Sequence, residues 1–122
     1  MARILLAEDQ EDLREMIAIA LRLDGHHVML AADGRDALQQ AKDNPPDLFI
    51  LDVHMPQLTG YEVTKDLRAQ QQFKDSPIII ISAKRLDDEV KLGVENGNIE
   101  FIQKPFPPKT LTNKINSHLK IS

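Results

Sequence analysis

The chain has 122 residues, no Cys and a net charge of −4, from 15 Lys+Arg against 19 Asp+Glu. That length suits one core without covalent staples, and the missing thiols exclude a disulfide scaffold, a thiolate zinc site and a Cys nucleophile. The acidic balance and a total of four Phe and one Tyr argue against nucleic-acid binding, which wants a basic face or an aromatic platform.

Apolar and amphipathic runs alternate from the start. Arg3–Ala7 reads as a strand. Leu13, Met16, Ile17, Ala20 and Leu21 then recur at i, i+3, i+4, i+7 and i+8, the stripe of a helix with one buried face, stopped by Asp24-Gly25. His27–Ala31 predicts a second strand, and Ala37, Leu38 and Ala41 mark a short helix ended by Asn44-Pro45-Pro46. Asp47–Asp52 is a third strand, and Val63 and Leu67 sit on a helix from about Thr59 to Gln71. Pro77–Ile81 is the most β-branched stretch and a fourth strand. Leu86, Val90 and Val94 predict a fourth helix closed near Asn96-Gly97, and Ile99–Ile102 a fifth strand. Pro107 or Pro108 opens a last helix with Leu111, Ile115 and Leu119 inward. Five strand–helix units argue an α/β fold, a doubly wound parallel sheet with helices on both faces, as one domain over 1–122. No apolar run approaches ~18 residues and the first residues lack the pattern of a signal peptide, so a cytoplasmic location and no membrane contact are expected.

An open parallel sheet binds ligands at the carboxyl ends of its strands. There the first strand ends in Glu8-Asp9, the third in Asp52 and the fourth in Ser82, while the fifth runs into Lys104. An Asp after a strand is commonly only a turn or cap residue; the convergence of three acids, a hydroxyl and an ammonium is what points to chemistry. Close carboxylates raise one another's pKa, and a hard divalent cation relieves this, with Mg²⁺ typically taking one or two carboxylates. Lys104 must turn back over the edge to reach the third strand, and a cis bond to Pro105 is expected to make that turn.

Leu6-Ala-Glu-Asp9, Asp52-Val-His-Met-Pro56 followed by Gly60, Ser82-Ala83 and Phe101-Ile-Gln-Lys-Pro-Phe106, in this order at these strand ends, resemble the receiver domain of two-component response regulators over essentially the whole chain. The resemblance implies a CheY-like, flavodoxin-like sheet in the order 2-1-3-4-5. It implies that Asp52 is the phosphoacceptor and that Asp9, Asp52 and the backbone carbonyl of His54 hold Mg²⁺ (or Mn²⁺), with Glu8 acting through a water. Lys104 and Ser82 would meet phosphoryl oxygens, and Phe101 would change rotamer with Ser82 on activation. The implied donor is a sensor histidine kinase or a phosphotransfer protein. The implied output is a change in the face made by the fourth helix, fifth strand and last helix, read by a downstream partner of unknown identity. The domain would be a phosphoacceptor and switch, not an enzyme acting on other molecules, with no direct nucleic-acid contact.

Ser82 stands where Thr is more frequent, Phe101 has no hydroxyl, and Asn98 replaces a usual Ala and reads as turn chemistry. His54 and Lys84, two residues past Asp52 and Ser82, lie beside the route of an attacking water. His26-His27 reads as a turn into the second strand rather than a metal pair, and His118 as a solvated helix position. A monomer is expected, with a phosphorylation-dependent dimer as the alternative, in which Glu100, Lys91 and Lys114 would make cross-pairs. A dehalogenase-like phosphatase would want a second Asp where His54 stands, and an FMN carrier a hydroxyl- and glycine-rich loop where Glu8-Asp9 stand. A receiver-shaped module without phosphate would be expected to lose Asp52, the acid pair or Lys104, and all are present. Whether the chain is a whole single-domain regulator or the receiver of a longer one stays open.

Overall fold

A computed structural model describes residues 2–83 and 98–119. The apolar runs form five strands, β1 (Arg3–Ala7), β2 (His27–Ala31), β3 (Leu48–Asp52), β4 (Ile78–Ser82) and β5 (Ile99–Gln103). They pair in parallel in the order β2-β1-β3-β4-β5, the order that the resemblance implies. Connecting helices are α1 (Glu11–Leu23), α2 (Gly34–Asp43), α3 (Gly60–Ala69) and, after β5, α4 (Pro108–Leu119). The helix expected around Leu86, Val90 and Val94 lies outside the described residues, as do Lys84 and Lys91.

Period-two alternation sorts each strand onto two cores. Ile4, Leu6, Leu48, Ile50, Ile79 and Ile81 face α1 and α4, which contribute Ile17, Ala18, Leu21, Leu111 and Ile115. Leu5, Phe49, Leu51, Ile78 and Ile80 face α2 and α3, with Ala37, Ala41, Val63 and Leu67. β3 and β4 are buried along their whole length, which is why their sequences are continuously apolar.

Local chemistry sets the helix ends. The Asp33 side chain accepts from Asp36 N at 2.8 Å to start α2, and Thr59 with Glu62 forms a capping box on α3. That helix ends at Ala69, short of Gln71, because the chain tightens into a 3₁₀ turn, Gln71–Phe73. The turn buries Phe73 edge-on against Phe49, with ring centroids 5.3 Å apart. In α1 the buried arc is Ile17, Ala18 and Leu21, while Met16, expected inside, is 53% exposed. His26 is buried and His27 exposed, as adjacent strand-entry residues should be. His118 is not freely solvated: its Nε2 lies 3.5 Å from Glu100 Oε1. Lys114 Nζ lies 3.4 Å from the other Glu100 oxygen. Glu100 thus meets the Lys114 ammonium and the His118 imidazole within the chain, between β5 and α4.

Asn98 does more than turn the chain. It has φ +51°, and its side-chain amide donates to Asp75 O at 2.9 Å. Its own carbonyl accepts from Ile78 N at 3.1 Å, tying the entry of β5 to the entry of β4. Replacing Asn98 with Ala should therefore cost about 1–2 kcal/mol by urea unfolding, while Asn98→Gly, which keeps the left-handed backbone, should cost less.

Candidate phosphoacceptor site

The strand register brings the chemistry to one edge. Ala7 is level with Leu51, Asp52 with Ile81 and Ser82 with Gln103. Glu8, Asp52, Ser82 and Lys104 therefore emerge side by side from β1, β3, β4 and β5. Glu8 and Asp52 are buried, and one carboxylate oxygen from each of Glu8, Asp9 and Asp52 lies within 4.8 Å of the others. Asp9 is exposed at the rim. Ser82 is buried, Ala83 exposed, and His54 exposed two residues beyond Asp52. Phe101 is half-buried on β5 and packs against the core under α2 and α3.

Lys104 crosses this edge. Its Nζ lies 3.0 Å from Glu8 Oε1 and 3.3 Å from Asp52 Oδ1. The Lys104–Pro105 bond is cis, as the turn back toward β3 led one to expect, and Lys104 N donates to Ser82 O at 2.6 Å. The Lys104 ammonium thus bridges two of the three acids whose mutual repulsion the sequence predicts. The two carboxylates hold the Lys104 pKa above its usual value, against the opposing effect of its own partial burial.

Glu8 remains under electrostatic load all the same. Burial pushes its carboxyl up to about 7 from 4.5, against a hydrogen bond from Gln10 N at 3.1 Å to Oε2 and the nearby Lys104. Oε1 meets the ammonium as an ion pair but receives no aligned hydrogen bond among the described residues. A buried carboxylate oxygen with spare acceptor capacity, beside two further carboxylates, is a donor set that fits a hard divalent cation.

Two supports escaped the sequence. Arg14 Nη1 donates to Glu8 O at 2.8 Å, so α1 braces the backbone of the acid pair. Gly60 starts α3 against β3: its N–H donates to Val53 O at 3.0 Å, and a Cβ there would lie 2.5 Å from Asp52 O. The spacing from Asp52 to Gly60 in the motif was the available signal for the second. No local pattern announces the first.

Residues 4–116 match the family model of the response regulator receiver domain. The chain is 35% identical, over 98% of its length, to the alkaline phosphatase synthesis transcriptional regulatory protein PhoP of Bacillus subtilis (strain 168). It spans about half the length of the curated relatives it matches, 49% in that case. The chemotaxis response regulator CheY4 of Vibrio cholerae superposes with a TM-score of 0.89 at 35% identity, covering 97% of this chain and 98% of that one. The receiver domain of the sensor histidine kinase PA1611 from Pseudomonas aeruginosa PAO1, with a magnesium ion in its active-site cleft, gives 0.87 at 30% identity and covers 98% of each chain. The chain belongs to the response regulator receiver domain family, whose members accept a phosphoryl group in two-component signalling. Receiver domains bind Mg²⁺ in the active site.

Two outcomes follow from the site's geometry. Gly60→Ala should lose roughly 1–3 kcal/mol of stability in urea, because the new methyl meets strand backbone that cannot move aside. The raised Glu8 pKa means that the folded, metal-free protein holds a proton the unfolded chain has released, so Glu8's contribution to stability is lost as pH rises from about 4.5 through about 7. In EDTA the unfolding free energy should carry a fall of roughly 1–3 kcal/mol between pH 5 and 8 that Glu8→Gln removes. Lys104, raised from 10.5, titrates above this window.

Proposed function

We propose that Asp52 is the residue that takes the phosphoryl group, from a phosphohistidine of a sensor histidine kinase or phosphotransfer protein. The observation that carries this is a buried carboxylate at the end of a central strand, 3.3 Å from an ammonium and clustered with two other carboxylates. An Asp52 oxygen attacks the phosphorus; the P–O bond forms as the P–N bond to the donor imidazole breaks, and the leaving imidazole takes up a proton. Lys104 is already beside Asp52 and needs only to exchange Glu8 for a phosphoryl oxygen. The Ser82 hydroxyl, from the adjacent strand, donates to another oxygen. Glu8, Asp9, Asp52 and the His54 backbone carbonyl would hold Mg²⁺, or Mn²⁺, with Glu8 acting through a water; the cation supplies positive charge for the phosphoryl oxygens.

The switch in this reading runs through β4 and β5. The new dianion at Asp52 draws Ser82 toward it, and the half-buried Phe101 ring turns into the space released. The β5–α4 face then changes. The domain acts as phosphoacceptor and switch, its only catalysis being of its own phosphorylation and dephosphorylation. A downstream protein or output domain reads the face, and the domain itself makes no contact with nucleic acid. A cytoplasmic location goes with this reading, because ATP-derived phosphoryl groups are available there.

Intact-mass spectrometry with acetyl phosphate and Mg²⁺ should show one added phosphoryl group that is absent in Asp52→Asn and without Mg²⁺; an unchanged signal in the variant would move the acceptor elsewhere. Mg²⁺ should also raise the thermal midpoint by simple linkage, and Asp9→Asn should diminish that rise.

A further inference from the structure

Among the described residues, the exposed large hydrophobic side chains all lie on one helix. They are Met16, Ile19 and Leu23 of α1, at 53%, 55% and 84% exposure. At 100° per residue they form a single ridge within a 60° arc, on the side of α1 away from the buried Ile17, Ala18 and Leu21. Scattered exposed apolar residues need no explanation, but a contiguous ridge does. One flank runs into an apolar hollow of about 170 Å³ lined by Leu13, Met16, Ala20, Phe106 and Leu111. The other flank carries Glu15 and Arg22, both exposed, and neither side chain is joined to another group among the described residues. Seven residues apart, they are roughly 10 Å distant along the helix and cannot pair with each other.

We propose that this ridge is a self-association surface, with a second copy of the same chain packed antiparallel through α1. The charges decide the orientation. A twofold axis crossing between two antiparallel helices keeps each flank facing its own counterpart with the direction reversed. An axis near Ile19 therefore sets Glu15 of one copy opposite Arg22 of the other, twice. The same placement puts Leu23 of each copy over the Leu13–Met16 end of the hollow on its partner, and the two Ile19 side chains together at the axis. A parallel pair would instead set the charged flank against the apolar one. Antiparallel packing also opposes the two helix dipoles. The surface contains none of the residues of the Glu100 pairs between β5 and α4.

Three ridge residues and a shallow hollow fall below the usual area per partner of a stable complex, so the dimer is weak, with Kd on the order of 100 µM. Sedimentation equilibrium from 10 µM to 1 mM tests it. The full chain should shift from monomer to dimer over that range, and Ile19→Glu should stay monomeric throughout. Glu15→Arg alone and Arg22→Glu alone should each weaken association roughly three- to tenfold, since each turns two attractions into repulsions. The double variant Glu15→Arg/Arg22→Glu should recover it. All three substituted positions are exposed and outside the phosphoacceptor site, and unchanged circular dichroism confirms the fold of each variant. A wild-type chain that is monomeric at 1 mM overturns the proposal, as does a double variant no better than the singles. Loss of phosphotransfer from a histidine kinase in Ile19→Glu, with no dimer at any concentration, would assign the ridge to the phosphodonor instead.

Discussion

The ammonium of Lys104, held between the carboxylates of Glu8 and Asp52, is the contact on which the rest of the site depends. Two buried carboxylates at one sheet edge would cost several kcal/mol each in lost hydration if nothing compensated them. Contacts at 3.0 and 3.3 Å compensate in part. That the Glu8 carboxyl still sits at about 7 shows how incomplete the balance is. Such an edge is prepared for more positive charge and for a group that redistributes it. On the proposed function a metal ion does the first and a phosphoryl group the second, so the same crowding of charge that loads the metal-free site would make it receptive.

Everything around that contact serves to hold backbone still. The register of four parallel strands fixes where each functional residue emerges, and the side chains only have to be the right type. Arg14 ties α1 to the Glu8 carbonyl, Gly60 lets α3 begin in contact with the strand carrying Asp52, and the short Lys104 N–H bond to Ser82 O closes the opposite side. Helices on both faces thus bear on the site through main chain, which deforms less readily than side chains.

Most of this fold was legible because central parallel strands write themselves as unbroken apolar runs, and because Asp24-Gly25, Asn44-Pro45-Pro46 and Pro107-Pro108 punctuate the chain unambiguously. The site was legible as a set of strand-end residues. What stayed hidden has a common cause, a partner distant in sequence. Met16 fits an inner stripe as well as an outer one, since residues 16–21 are apolar throughout and only packing against β2 and α4 decides which arc is buried. The α3 pattern overran because nothing in Gln70-Gln71 forbids a helix; burial of Phe73 against Phe49 ends it. His118 looked solvated because Glu100 is a strand away, and the Lys104–Glu8 pair was missed because charge type alone does not say which acid an ammonium will choose.

Glu8 and Lys104 come from nearly opposite ends of the described chain, and their contact has a consequence for biosynthesis. A ribosome-bound chain that has released β1 through β4 presents the acids and the acceptor strand without their counter-charge, and with β4 as an unpaired edge. On the proposed function, the counter-charge that the acceptor needs therefore comes from the last strand to leave the ribosome. A chain stopped before β5 would hold Asp52 without the ammonium that lies 3.3 Å from it, and on the proposed function it would be a poor acceptor rather than a half-built switch.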